Sequence, residues 1–211
     1  MSKELVNPFV NLELHTIVAI KPYQLNNDLY IHLKNNLKLQ SENKCNSIGY
    51  ICKINEIIKY DDGYIEPEDF SGDILFNVSF TANICIPLKN TYIVTRIESI
   101  HKQLIIANNG PIKCIIKTND YNHDKFSMST QSKLIYKSTN KTIVSDDYII
   151  VHIRSHKSYV GEDKIGIMGF IEDIPTDNDI KNYYYTKHLE EDEITINQVE
   201  YSMLNEDDNE N

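Results

Sequence analysis

The chain has 211 residues, enough to bury one large core or two small ones, with 41% hydrophobic residues and a formal net charge of −10. No apolar run reaches the eighteen or so residues that a membrane span needs, and residues 1–11 mix charge with Pro8, so neither a span nor a secretory leader is predicted. The cysteines never form a C-x-x-C pair and lie in apolar sequence, which argues against a zinc site or a disulfide framework. We therefore expect four buried free thiols: Cys45, Cys52, Cys85 and Cys114.

The charge is unevenly distributed along the chain. Residues 1–83 hold 7 Lys and Arg against 11 Asp and Glu, residues 84–175 hold 12 against 9, and residues 176–211 hold 2 against 11. A basic middle segment can meet phosphate, whereas the tail would be repelled by it. A surface with ordinary charge variation is the alternative.

The first elements alternate between strand and helix patterns. Residues 12–20 are rich in β-branched and aliphatic residues and stop at Pro22, which predicts a strand. Leucines every four residues predict a helix over 27–39, capped by Asn26 or Asn27. Residues 48–58 return to alternation, and we expect one face of that strand to hold Ile48, Tyr50, Cys52 and Ile54.

A projecting loop and a long strand follow. Turn residues over 59–72 predict a flexible loop. Apolar residues at every second position over 74–86 predict a strand with one buried face. Because this strand is longer than usual, we expect it to serve two neighbouring sheets and to join two domains.

Short strands with turns between them occupy the middle of the chain, at 92–97, 104–107, 112–116, 148–154 and 164–171. Five such strands fit a small closed barrel of the OB kind. Residues 117–147 are polar, and we expect a long loop with at most a helical turn. From Thr176 the chain is acidic and by composition nearly structureless toward its end, although residues 183–185 could dock.

Several short motifs carry a family resemblance. They are Ile20-Lys21-Pro22-Tyr23, Ile48-Gly49-Tyr50-Ile51, Gly63-Tyr64-Ile65-Glu66-Pro67, Val78-Ser79-Phe80-Thr81-Ala82 followed by Pro87-Leu88-Lys89, then Gly110-Pro111 and Gly169-Phe170-Ile171-Glu172-Asp173. In order and spacing they resemble the RNA polymerase stalk family, which has members in archaea, the seventh subunit of eukaryotic RNA polymerase II and counterparts in large DNA viruses. The sequence departs from that family at Asn90, where Gly is usual, and at Gln103 and Leu104, where Gly and an aromatic are expected.

The resemblance implies an α+β protein with a small N-terminal α/β tip domain (1–84), an S1-type OB β-barrel (85–175) and an acidic, partly disordered extension (176–211). It implies a non-catalytic subunit of DNA-directed RNA polymerase that docks on the core subunits and holds the barrel near nascent RNA, aiding initiation or transcript handling. A second stalk subunit is left open. Localisation would be the virion and infected-cell cytoplasm for a virus, or the nucleus for a cell. No cofactor, metal or membrane is implied.

Two sets of site residues follow. For docking on the core we single out a tip formed by Gly49, Tyr50, Asp62, Gly63, Tyr64, Ile65 and Pro67, since a turn with apolar side chains can enter a groove; a surface hairpin without a partner is the alternative. Contacts to RNA phosphates, expected to be electrostatic and weak because stacking aromatics are missing, would come from Lys102, Lys113, Lys117, Arg154, His156 and Lys157. A solvated barrel face is the alternative there.

Catalytic patterns are missing from the sequence. There is no P-loop, no G-x-S-x-G and no paired carboxylate signature. His152 and His156 are spaced too far apart along a strand to share one metal ion. The competing functions are a free-standing OB-fold RNA-binding or translation factor and, less favoured, a small hydrolase or metal enzyme.

Overall fold

The computed structural model describes residues 4–67, 71–129 and 133–185, and it is mostly β, with two α-helices in those ranges. None of the described helices is long and apolar enough to cross a membrane. The strands are β1 (Phe9–Ile20), β2 (Lys44–Cys45), β3 (Tyr50–Tyr60), β4 (Ile74–Cys85), β5 (Tyr92–Ile100), β6 (Leu104–Asn109), β7 (Ile112–Lys117), β8 (Phe126–Met128), β9 (Leu134–Tyr136), β10 (Lys141–Ile143), β11 (Tyr148–Lys157) and β12 (Ile165–Asp173). The helices are α1 (Leu29–Ser41) and α2 (Asp177–Tyr183).

The N-terminal elements form one antiparallel sheet with a helix on one face. Its strand order is β1-β4-β3-β2, and every neighbouring pair is antiparallel. Helix α1 carries the predicted leucine stripe, and its fully buried Leu33 and Leu37 pack into the core of this sheet. Burial of each such side chain contributes about 1.5–3 kcal/mol. The helix begins after Asp28, which makes no side-chain cap, so the predicted asparagine cap is wrong.

The predicted buried face of β4 is confirmed. Phe76, Val78, Phe80, Ala82 and Ile84 are buried and belong to the core of the N-terminal sheet. The expectation that this strand serves two sheets is wrong, because β4 pairs with β1 and β3 and with no barrel strand. Sheet and barrel are joined instead by backbone hydrogen bonds from other segments.

The predicted face of β3 is also wrong. The strand buries Ile51, Ile54 and Ile57, which are three residues apart. Three register shifts against β4 explain this spacing, since each bulge adds a residue and moves the next apolar side chain to the same face. Ile48, in the predicted set, is half exposed.

The five predicted barrel strands are confirmed as a closed barrel with the order β11-β12-β7-β6-β5. Strands β5, β6 and β7 form a meander, β12 pairs parallel with β7, and β11 closes the barrel between β12 and β5. This connectivity is compatible with an OB-type barrel. Asn90, just before β5, has a φ of 65°, and Asn tolerates this left-handed conformation better than other residues except Gly.

The expectation of a long loop over 117–147 is wrong. Strands β8, β9 and β10 form a small antiparallel sheet there, in the order β10-β9-β8. Phe126, Leu134 and Ile143 from this sheet are buried in the barrel core. Three isolated apolar side chains in a polar segment do not show as periodicity, so the pattern of a strand was missing from the sequence.

Backbone hydrogen bonds connect the sheet and the barrel at two places. The N–H of Cys45 donates to the carbonyl of Glu162 at 2.7 Å, and the N–H of Gly161 donates to the carbonyl of Cys45 at 2.8 Å. The N–H of Val6 donates to the carbonyl of Tyr92 on β5 at 2.9 Å. Tyr50, Cys45 and Cys85 contribute to the barrel core, so the near end of the sheet packs directly on the barrel.

Candidate docking and nucleic-acid surfaces

The predicted tip residues lie at the two opposite ends of β3. Gly49 and Tyr50 are at its start, and Tyr50 is buried in the barrel core with only 8% exposure. Burial, followed by nearby ionisable groups, raises the pKa of Tyr50 to about 12. An eleven-residue strand is about 35 Å long, so these two residues are not part of the loop after Tyr60 and cannot belong to one tip with it.

The loop between β3 and β4 is the end of the sheet most distant from the barrel. Its backbone is held to β4, because Tyr64 and Leu75 exchange hydrogen bonds of 3.0 and 2.8 Å. Tyr64 is 39% exposed and Ile65 is 57% exposed, so two apolar side chains face solvent there. Asp62 and Pro67 are exposed beside them.

Gly63 has a packing role in this loop. A Cβ at this position would lie 2.5 Å from Cγ2 of Ile74 and 2.6 Å from Cζ of Phe76. Gly49 is similarly tight, because its Cβ would lie 2.5 Å from the carbonyl oxygen of Cys85. Both glycines therefore allow close approach between chain segments rather than only a tight turn.

The predicted phosphate contacts fall on the outer face of the barrel, with one exception. Gly166 on β12 lies opposite Lys113 on β7 and opposite Lys157 on β11, so the two lysines flank it. Lys117, at the other end of β7, pairs with Leu104, which follows Lys102 after one residue. The exception is His156, opposite the buried Ile167, and thus on the other side of β11 from Lys157.

Two of these cations already have partners within the protein. The Arg154 guanidinium forms an ion pair of 3.0 Å with Asp120 and lies 4.7 Å from the ring centroid of Phe170. The Lys157 ammonium lies 4.8 Å from the ring centroid of Tyr159. Contacts between these cations and a phosphate would compete with these interactions, which leaves Lys102, Lys113 and Lys117 as the more available charges.

The C-terminal segment docks on the barrel, as was predicted as an option for residues 183–185. The side chain of buried Asn109 donates to the carbonyl of Tyr183 at 3.0 Å and accepts from the N–H of Tyr185 at 2.8 Å. The Tyr185 ring lies 4.7 Å from that of Phe9. We call residues 183–185 the strap. Helix α2 before it, which sequence reasoning missed, starts with Thr176 accepting from the Asp179 N–H, a signal that an S/T-x-x-D search would have found.

Catalytic geometry is limited to one histidine–serine contact. Nδ1 of His15 and Oγ of Ser79 are 2.8 Å apart on the outer face of the sheet. A nucleophile of this kind also needs a base oriented by a third group, and no such group contacts His15 in the described ranges. The described residues contain no group of three or more potential metal-ligating side chains.

The cysteines are free, as predicted. Cys45, Cys85 and Cys114 are buried and Cys52 is half-buried. Burial raises the pKa of the Cys52 thiol to about 12 and raises the pKa of Cys85 and Cys114 further. These groups are therefore protonated packing residues, without the thiolate that a nucleophile needs.

Comparison with known proteins identifies the relatives of the chain. No family model matches the sequence. A protein of Acanthamoeba polyphaga mimivirus, named as a DNA-directed RNA polymerase subunit, is 33% identical over 175 residues, which cover 83% of this chain and 87% of the viral protein. The chain belongs to the family of this polymerase subunit. The aligned length requires that family membership extends over both the sheet and most of the barrel.

Proposed function

We propose that the chain is a non-catalytic stalk subunit of a multisubunit DNA-directed RNA polymerase. The observation that carries the proposal is the 33% identity to a viral polymerase subunit over most of both chains. An N-terminal sheet with one helix, followed by a barrel with OB-compatible connectivity, supports the finer assignment to the stalk. In this assignment the tip domain covers residues 1–84, the S1-type barrel residues 85–175, and the acidic extension starts at residue 176.

The polymerase core is the proposed partner of the loop after β3. Strands β3 and β4 carry this loop about 35 Å away from the barrel, so a stalk docked by the loop would hold the barrel clear of the core. Exposed Tyr64 and Ile65 supply apolar anchors for a groove on the partner, and a buried aromatic or aliphatic anchor typically dominates the energy of an interface.

The edge of the sheet is the proposed place for a second stalk subunit. Strand β1 has no neighbour beyond it among the described strands, and Val10 and Leu12 on it are 39% and 38% exposed. A cleft of about 570 Å³ beside it is lined by Leu14, Ile51 and residues of the β11–β12 loop. A free edge with apolar side chains is a typical site for pairing with another chain.

Nascent RNA is the proposed ligand of the barrel, bound weakly and through charge. The outer face of β6 and β7 presents Leu104, Ile106 and Ile115, which offer no flat ring on which a base can stack. Lysine contacts to phosphate remain, and these carry no sequence information. Nucleotidyl transfer would belong to other subunits of the complex.

Affinity purification of the tagged full-length chain from its native source tests the proposal. We expect the large polymerase subunits to be recovered with the wild-type chain and lost with Tyr64→Asp/Ile65→Asp. The matched control is Tyr159→Asp/Val160→Asp, another exposed tyrosine–aliphatic pair, 53% and 77% exposed, in the β11–β12 loop beside the barrel. Recovery of RNA or ribosomal proteins without any polymerase subunit would favour a free-standing RNA-binding factor instead.

A further inference from the structure

The outer face of the barrel carries a continuous aliphatic row. Ile106 on β6 lies opposite Ile115 on β7, and Ile115 lies opposite Met168 on β12. Neighbouring strands are about 4.8 Å apart, so the three side chains form one strip across three strands. Ile115 is 43% exposed and Met168 is 49% exposed. We call these three residues the aliphatic row.

Two lysines flank the row on the same face. Lys113 and Lys117 lie two residues before and two residues after Ile115 on β7, and alternation along a strand directs all three outward. Neither lysine makes an ion pair with another residue in the described ranges. An apolar strip between unpaired cations fits an acidic segment that also carries apolar side chains.

The strap brings the acidic end of the chain to the edge of this face. The Tyr185 ring packs against Gly110 in the β6–β7 turn, where an added Cβ would be 3.0 Å from the ring. The Tyr184 hydroxyl donates to Oδ1 of Asn108 at 3.2 Å, and Asn108 lies opposite Lys113. The chain therefore leaves the described region one strand pair away from Lys113.

The following residues have the composition that the face would bind. Residues 186–211, outside the described part of the chain, contain one Lys and nine Asp and Glu, a net of −8. The first acidic block, Glu190-Glu191-Asp192-Glu193, is followed by Ile194 and Ile196. About five residues separate the strap from this block, and such a length spans up to about 17 Å, enough to reach the face.

We propose that residues 189–196 bind in cis across the outer face of β6, β7 and β12. The acidic block lies against Lys113 and Lys117, and the two isoleucines cover the aliphatic row. Because the segment belongs to the same chain, its effective concentration at the face is high and modest contacts suffice. The face is thereby closed to polyanions until another ligand displaces the segment. This inference concerns the isolated chain and does not depend on the polymerase assignment.

Oxidation of Met168 by hydrogen peroxide in the isolated full-length protein tests the proposal. The rate at Met168 is measured by peptide mass spectrometry and compared with half-buried Met128 as an internal reference. We expect the variant Glu190→Gln/Glu191→Gln/Asp192→Asn/Glu193→Gln to oxidise at Met168 about threefold faster or more than wild type. Raising the salt concentration should have the same effect on wild type, because salt screens the charge contacts.

A distal variant is the matched control. Glu206→Gln/Asp207→Asn/Asp208→Asn/Glu210→Gln also removes four charges but leaves the proposed segment intact, so the Met168 rate should stay at the wild-type value. Zero-length carbodiimide crosslinking should join the acidic block to Lys113 or Lys117 in preference to exposed Lys59 and Lys133. Equal Met168 rates in all three proteins, equal acceleration by both variants, or crosslinks spread evenly over these lysines would overturn the proposal.

Discussion

Replacing Asn109 with alanine removes the amide that attaches the strap to the barrel. The wild-type side chain is fully buried and makes three hydrogen bonds: to the carbonyl of Val94 at 2.8 Å, to the carbonyl of Tyr183 at 3.0 Å, and from the N–H of Tyr185 at 2.8 Å. At about 1 kcal/mol net each, their loss costs about 3 kcal/mol. Release of the strap would rehydrate two of the partners, which limits the cost to about 2–3 kcal/mol.

Two measurements examine this substitution. Urea unfolding gives the change in free energy, and hydrogen exchange at the Tyr185 amide reports whether the strap is released. The control is Asn108→Ala, the neighbouring half-buried asparagine, whose side chain accepts only the Tyr184 hydroxyl in the described structure and should cost at most about 1 kcal/mol. Equal destabilisation by the two substitutions, or fast exchange of the Tyr185 amide already in wild type, would refute the reasoning.

Three further predictions concern the barrel. Gly169→Ala should destabilise the fold by about 2–4 kcal/mol in urea unfolding, because its Cβ would lie 2.2 Å from Cγ1 of Val151, whereas Gly166→Ala, with a nearest atom at 3.6 Å, should cost at most about 1 kcal/mol; equal costs would contradict this packing argument. Cys114 should resist alkylation at about pH 8 in the native protein and react after denaturation, since burial raises its pKa; rapid native labelling would argue against it. Burial raises the pKa of Asp173, but hydrogen bonds led by Lys125 outweigh it and lower the pKa below 3.8, so the stability difference between wild type and Asp173→Asn should be present above about pH 4 and shrink as the pH falls further; a difference that grows on acidification would have the wrong sign.

Local sequence patterns predicted most of the strands and one helix. Alternation over residues 74–86 and the leucine spacing of α1 report directly which side chains face a core, because period two and period 3.6 are properties of the local backbone. The five barrel strands were also recognisable, since each carries two or more apolar residues on its inner face. These elements needed no knowledge of their partners.

The docking residues were predicted only in part. Tyr64 and Ile65 are exposed in a loop, as turn chemistry indicated, but Gly49 and Tyr50 were grouped with them although they lie at the other end of β3. A motif resemblance identifies residues without their distance from one another. The eleven-residue strand between the two groups became meaningful only when its direction in the sheet was known.

Sequence alone was enough to locate most strands and α1, to predict free thiols, and to show that basic and acidic residues occupy different segments. Folding in three dimensions determines which strand faces are buried where bulges interrupt the alternation, as at Ile51, Ile54 and Ile57. It also determines that the polar segment after β7 adds a small sheet to the barrel core and that Asn109 binds the strap. These features escape a local window of sequence because bulges, isolated buried side chains and hydrogen bonds between distant residues depend on partners that such a window does not contain.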